Sequence, residues 1–145
     1  LVCLVGSEMC IRDRIKPDLH VGGQVRNGTT KGIDENALAA YNAPFPDDDH
    51  KQGVRQFPNL VPGTPRTPSA EPNKEAWKIL REWKKPFLCA FSDKDPIFSG
   101  VENSFYKLIP GCKDMPHVTI QNAGHFLQED QPNACVEAIL SIKDI

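Results

Sequence analysis

Apolar residues recur at helical spacing most clearly between Ser69 and Lys84. Trp77, Leu80 and Lys84, flanked by Ala76, Ile79 and Trp83, predict an amphipathic helix that starts near Ser69–Asn73. It stops at Lys84-Lys85-Pro86, where cations close the last turn and proline follows. Phe87-Leu88-Cys89-Ala90-Phe91 is a continuous apolar run, the pattern of a parallel strand buried on both faces. A helix follows around Val101–Ile109, closed by Pro110-Gly111, and His117-Val118-Thr119-Ile120-Gln121 reads as a second strand. The last helix is expected from Pro132 to Ile142, with Cys135, Ala138, Ile139 and Ile142 on one face and Asp130 as its cap. The order helix, strand, helix, strand, helix is that of the tail of a parallel α/β sheet with right-handed crossovers. Two strands do not make a stable sheet alone, so the chain reads as the carboxyl-terminal part of a larger α/β domain.

The amino-terminal half is less periodic. Residues 15–40 are polar, with Gly22, Gly23, Gly28 and Gly32 in loop positions and Asp34 placed to cap a short helix through Ala40. Prolines crowd between Pro44 and Pro72, which predicts irregular chain or short helices, because proline fixes φ and removes a donor. Phe45, Phe57, Leu60 and Val61 in this stretch suit a lid of short elements better than a linker.

Composition narrows the partners. The chain has 145 residues, 39% hydrophobic and 25% charged, with net charge −2, so no basic surface argues for nucleic acid or anionic lipid. No apolar run approaches the roughly 20 residues needed to span a bilayer, and no membrane partner is expected. Residues 1–14 resemble the translation of a sequencing adapter and are set apart from the fold as a non-native segment. A secretory signal is the poorer reading, because the charges follow the apolar stretch. A genuine first strand is the other alternative. Cys89, Cys112 and Cys135 then form an odd, scattered set without metal-ligand spacing, which fits a reducing cytoplasm and a protein without metal or cofactor.

In open parallel sheets reactive groups gather beyond the carboxyl ends of strands. Phe91-Ser92-Asp93-Lys94-Asp95-Pro96-Ile97 follows the first strand, and Ala123-Gly124-His125-Phe126-Leu127-Gln128-Glu129-Asp130 follows the second. For neighbouring strands these ends lie within roughly 5–10 Å, so Asp95 can orient His125, and His125 can act as general base. His117 is the rival base but precedes its strand, while His20 and His50 lie in polar stretches. Asp93 is the rival acid; Pro96-Ile97 beside Asp95 favours the latter, although Asp-Pro also opens turns without chemistry. Glu129 and Asp130 read as complements to the last helix dipole. The third member of such a triad, a nucleophile on a Gly-x-Ser-x-Gly type elbow, is not found in the chain.

Those two turns, together with Tyr41-Asn42-Ala43-Pro44-Phe45-Pro46-Asp47 and Gly53-Val54-Arg55-Gln56-Phe57-Pro58, resemble the haloalkane dehalogenases. The likeness is to the subfamily whose acid follows the penultimate core strand. The histidine string is shared widely among α/β-hydrolases; Pro-Phe-Pro-Asp and Phe-Pro discriminate. The resemblance implies an α/β-hydrolase core with a helical cap inserted over it. Residues 15–66 would be the carboxyl-terminal part of the cap and residues 67–145 the carboxyl-terminal part of the core. It implies Asp95 and His125 as catalytic residues, and Phe57, Pro58, Val61, Ile97 and Phe98 as residues facing the substrate. The implied reaction is hydrolysis of a halogenated alkane by a monomeric, cytoplasmic bacterial enzyme. An aspartate displaces halide to form an alkyl-enzyme ester, and water activated by His125 cleaves that ester. Halide donors in the family include tryptophan indoles, whereas Trp77 and Trp83 read as core packing. An epoxide hydrolase would use two cap tyrosines, where only Tyr41 is offered, and an esterase would carry serine on the elbow. A non-catalytic binding protein on the same scaffold is the alternative from another class. The chain alone is expected to be inactive and poorly soluble, with sheet edge and cap underside uncovered.

Overall fold

The computed structural model describes residues 19–142, so the segment 1–14 read as non-native lies outside the described residues. The chain divides into two compact units. Of the described residues, one unit holds 19–27 together with Gly32–Glu75; the other holds Gly28–Lys31 together with 76–142.

In the first unit, helix α1 (Val21–Asn27) packs on helix α2 (Glu35–Asn42). Gly22 and Gly23, expected in a loop, lie inside α1. Close packing is the reason at Gly22, where a Cβ would sit 2.8 Å from the Leu38 carbonyl oxygen. The Gly22 N–H also donates to Asn42 Oδ1 at 2.9 Å, and Val25 is buried. Asp34 caps α2 as expected, accepting from the Ala37 N–H at 2.8 Å. Arg26 reaches the Ile33 carbonyl and Glu35 across the same joint. The proline-rich stretch forms short helices, as its composition predicts: a 3₁₀ turn (Asp49–Lys51) and helix α3 (Gln52–Leu60). Pro58 lies in the last turn of α3, two residues before the helix ends.

The second unit is α/β. Helix α4 (Ala70–Leu80) leads into it, and strands β1 (Ala90–Ser92) and β2 (Val118–Ile120) pair in parallel with Ala90 opposite Val118 and Ser92 opposite Ile120. Between them run helix α5 (Glu102–Leu108) and a 3₁₀ turn (Pro110–Cys112). Helices α6 (Leu127–Asp130) and α7 (Pro132–Ser141) follow β2. The apolar run at 87–91 gives a shorter strand than expected. Its ladder ends at Cys89, whose N–H donates to the His117 imidazole instead of to backbone.

Alternation splits that run between two environments. Cys89 is buried with Ile109 and Cys112, and Trp77, Leu80, Phe87, Phe91 and Phe105 pack against them. Phe105 is the centre of this cluster, stacked on Trp77 at 5.7 Å and tilted against Phe87 and Phe91. Burial, with Cys112 beside it, pushes the Cys89 thiol up to about 12, so these cysteines act as core side chains. Leu88 and Ala90 face the other way, where Ile120, Cys135, Ala138 and Ile139 complete an apolar groove of about 280 Å³. The strand is therefore not buried on both faces, because α7 only partly covers the second one. Ile139 and Ile142 share that face as expected but stay exposed. Two more expectations fail on α4. It ends at Leu80 rather than near Lys84, and Ile79 and Trp83 are exposed, because the inward stripe is only as wide as Trp77 and Leu80.

Candidate active site

Beyond the strands, backbone bonds continue to join the two turns. The Asp93 N–H donates to the Ile120 carbonyl at 3.1 Å and the Lys94 N–H to the Ala123 carbonyl at 3.0 Å. The Ala123 N–H returns a bond to Asp93 Oδ1 at 3.0 Å. Asn122 takes φ 58°, a left-handed conformation that asparagine tolerates, and this turns the chain after β2. The pairing brings Asp95 and His125 side by side.

Asp95 is buried, 7% exposed. Its Oδ1 accepts the Ile97 N–H at 2.7 Å, a local bond across Pro96 that fixes the carboxylate plane. Its Oδ2 lies 3.0 Å from His125 Nδ1. An ionised carboxylate only accepts, so Nδ1 carries the proton and Nε2 carries the lone pair. Phe98 stacks on the His125 ring at 5.4 Å, and Phe126 meets it edge-on at 5.2 Å. The histidine side chain remains 25% exposed. A basic nitrogen, aimed by a buried acid and walled by two aromatic rings, is equipped to take a proton from water.

The other candidates have structural partners. Asp93 staples the Ala123 amide, and that bond holds its carboxyl below the ordinary value of 3.8. His117 Nδ1 accepts from the Cys89 N–H at 3.1 Å, and its Nε2 donates to the Cys112 carbonyl at 2.9 Å. His20 accepts from the Gly23 N–H at the start of α1, and His50 pairs with Asp47 on the surface. Asp130 does not cap α7, contrary to expectation. Gln131 holds the cap position without a side-chain bond, and the Asp130 carboxylate turns to Gly124, Thr30 and Lys31.

Of the residues read as facing substrate, Ile97 is buried and Phe98 touches His125. Phe57, Pro58 and Val61 belong to the first unit. Phe57 is an exposed side chain on α3, Pro58 is half-buried, and Val61 is the extended residue that ends the helix. Among the described residues, no cluster of three or more His, Cys, Asp or Glu side chains is placed to hold a metal ion. Nor is any helix there long and apolar enough to cross a membrane. The part of the site that sequence reasoning missed is Gly28–Lys31. These residues are distant in the chain, and their polar, glycine-bearing composition reads only as a loop.

No family model matches the chain. It is 51% identical over 115 residues to a haloalkane dehalogenase of Psychrobacter cryohalolentis, covering 79% of this chain and 38% of that protein. It is 42% identical over 128 residues to a haloalkane dehalogenase of Mycolicibacterium paratuberculosis, covering 88% of this chain and 42% of that one. A haloalkane dehalogenase of Mycobacterium marinum is 41% identical over 128 residues. The chain spans about two fifths of the length of these curated relatives. Identity at this level over most of the chain, with the acid–histidine pair in place, leaves one conclusion: the chain belongs to the haloalkane dehalogenase family.

Proposed function

We propose that this chain supplies the acid and base of a hydrolase that converts haloalkanes to alcohol and halide. The observation that carries the reading is the 3.0 Å bond from His125 Nδ1 to the buried Asp95 carboxylate, beyond the ends of two parallel strands. In this reading residues 67–145 are the carboxyl-terminal part of an α/β-hydrolase core and residues 15–66 the carboxyl-terminal part of its cap. A carboxylate elsewhere in the whole protein displaces halide and is left as an alkyl ester. His125 Nε2 then takes a proton from water as the water oxygen attacks the ester carbonyl. The bond from the acyl carbon to the alkoxy oxygen breaks, and alcohol leaves with the proton returned by the imidazolium. The second water proton, left on the carboxyl group, passes to solvent, so that both the carboxylate and the neutral imidazole are restored. Asp95 holds the ring with Nε2 toward the water and stabilises the imidazolium that forms in passing. Ile97, Phe98, Phe57, Pro58 and Val61 face the substrate and keep the ester dry. The whole enzyme works as a monomer in the cytoplasm, and this chain alone is inactive.

The test is a chimera in which this chain replaces the matching segment of the Psychrobacter cryohalolentis relative. It should release halide from a brominated alkane. His125→Phe should lower steady turnover by roughly 10²–10⁴-fold. It should also leave one equivalent of alkyl ester on the protein, visible as a mass increase. A folded chimera that releases no halide, or a His125→Phe variant with unchanged turnover, contradicts the reading.

A further inference from the structure

Among the described residues His125 has one polar ring contact, to Asp95, so its aim depends on the backbone on either side of it. The preceding amide, Gly124 N–H, donates to Asp130 Oδ2 at 2.8 Å. The following amide, Phe126 N–H, donates to the Gly28 carbonyl at 3.2 Å. Gly28 opens a segment whose later groups return to the same carboxylate. The Thr30 N–H lies 2.8 Å from Oδ2, the Thr30 hydroxyl 2.9 Å from Oδ1, and the Lys31 N–H 3.3 Å from Oδ1. The Thr30 hydroxyl also lies 3.0 Å from the Asn122 carbonyl, at the start of the histidine turn. Three backbone N–H groups donate to this carboxylate, and the single proton of the Thr30 hydroxyl is shared between it and the Asn122 carbonyl. The fit is close: a Cβ on Gly124 would lie 2.5 Å from the Gly28 carbonyl oxygen.

We propose that Asp130 is a positioning residue whose buried carboxylate clamps both backbone flanks of His125 and so sets the direction of its ring. One flank is held directly, through Gly124. The other is held through the Gly28–Lys31 segment, which Asp130 anchors against the turn. Asp130 is 5% exposed. Burial pushes its carboxyl up, but the donors from Gly124, Thr30 and Lys31 outweigh this and leave it below the ordinary value, so it stays ionised as the clamp requires. Any significance for turnover rests on the hydrolytic reading above; the positioning does not.

The test uses the folded chimera with nitrogen-15 labelling, and reads amide hydrogen exchange together with the imidazole nitrogen signals. Asp130→Asn replaces one acceptor oxygen with a donor NH₂. Losing such charge-assisted bonds should speed exchange at Gly124 and Phe126 by roughly tenfold or more. The His125 ring should drift from one tautomer to a mixture. The His117 ring and the β1–β2 amides should not change, which separates positioning from general loosening. Unchanged exchange at Gly124 and Phe126 with an unchanged His125 ring would overturn the proposal. If Asp130→Asn unfolds the chimera, Thr30→Val decides, since it removes the hydroxyl that lies between Asp130 and the Asn122 carbonyl and keeps the charge. Faster exchange at Gly124 and Phe126 beside an unaltered sheet supports the clamp, and unaltered exchange overturns it. No substrate enters this test, so a chimera that fails to release halide would leave its outcome intact.

Discussion

His117 and His125 stand at opposite ends of the same strand, and both are half-buried against an aromatic ring, Tyr106 at 4.3 Å and Phe98 at 5.4 Å. Their hydrogen bonds differ. His117 spends both nitrogens on backbone, accepting from Cys89 and donating to Cys112. It ties the start of β2 to the aromatic core and has no lone pair to spare. His125 gives Nδ1 to a carboxylate, and among the described residues no hydrogen bond engages its Nε2. Burial and aromatic contact do not separate the structural histidine from the proposed base here. What separates them is whether the partner is neutral backbone at both nitrogens or one anion at one nitrogen.

The sharpest way to break this contrast is to remove each ring from the active chimera. His125→Phe should cost turnover on the scale given above. His117→Phe should leave turnover of the folded protein within a few-fold, since its ring reaches no reacting atom. Equal losses of turnover would erase the distinction. Stability should not separate the two rings. His117→Phe orphans the Cys89 N–H and the Cys112 carbonyl, an expected cost of about 1–3 kcal/mol in denaturant unfolding. His125→Phe leaves Oδ2 of the buried Asp95 without its partner and should cost at least as much.

A smaller effect should appear in acid. Asp130 and Asp93 both have folded-state carboxyls below the ordinary value of 3.8. Their stabilisation is complete above 3.8 and is lost as pH falls through the folded values, because the unfolded chain takes up protons first. Unfolding measured against pH should therefore steepen below 3.8, with Asp130→Asn flattening the acid limb more than Asp93→Asn. The order follows from exposure, since Asp93 lies in solvent, where water screens its bond to Ala123.

Much of this was legible in the sequence because it is local. Asp34 as a cap, the helices around 70–80, 102–108 and 132–141, the two strands and the acid and histidine turns all follow from residues within a few positions of one another. What was not legible depends on long-range approach. Gly22 and Gly23 look like loop residues until α2 is seen against α1. Asp130 sits where a helix cap belongs, and its actual donors, Thr30 and Lys31, are about a hundred positions away. Ile79 and Trp83 have the right helical period, yet the core they would meet extends only to Trp77 and Leu80. Local pattern singles out Asp95 and His125, which the structure brings into contact, and tertiary contact decides what aims them.

The most direct measurement is the tautomer of each ring in the unsubstituted chimera, read near neutral pH by long-range nitrogen–proton correlation on labelled histidine. The account predicts that the His125 proton sits on Nδ1 and the His117 proton on Nε2, two opposite tautomers in one spectrum. A His125 ring protonated on Nε2, or averaging between tautomers, would contradict it.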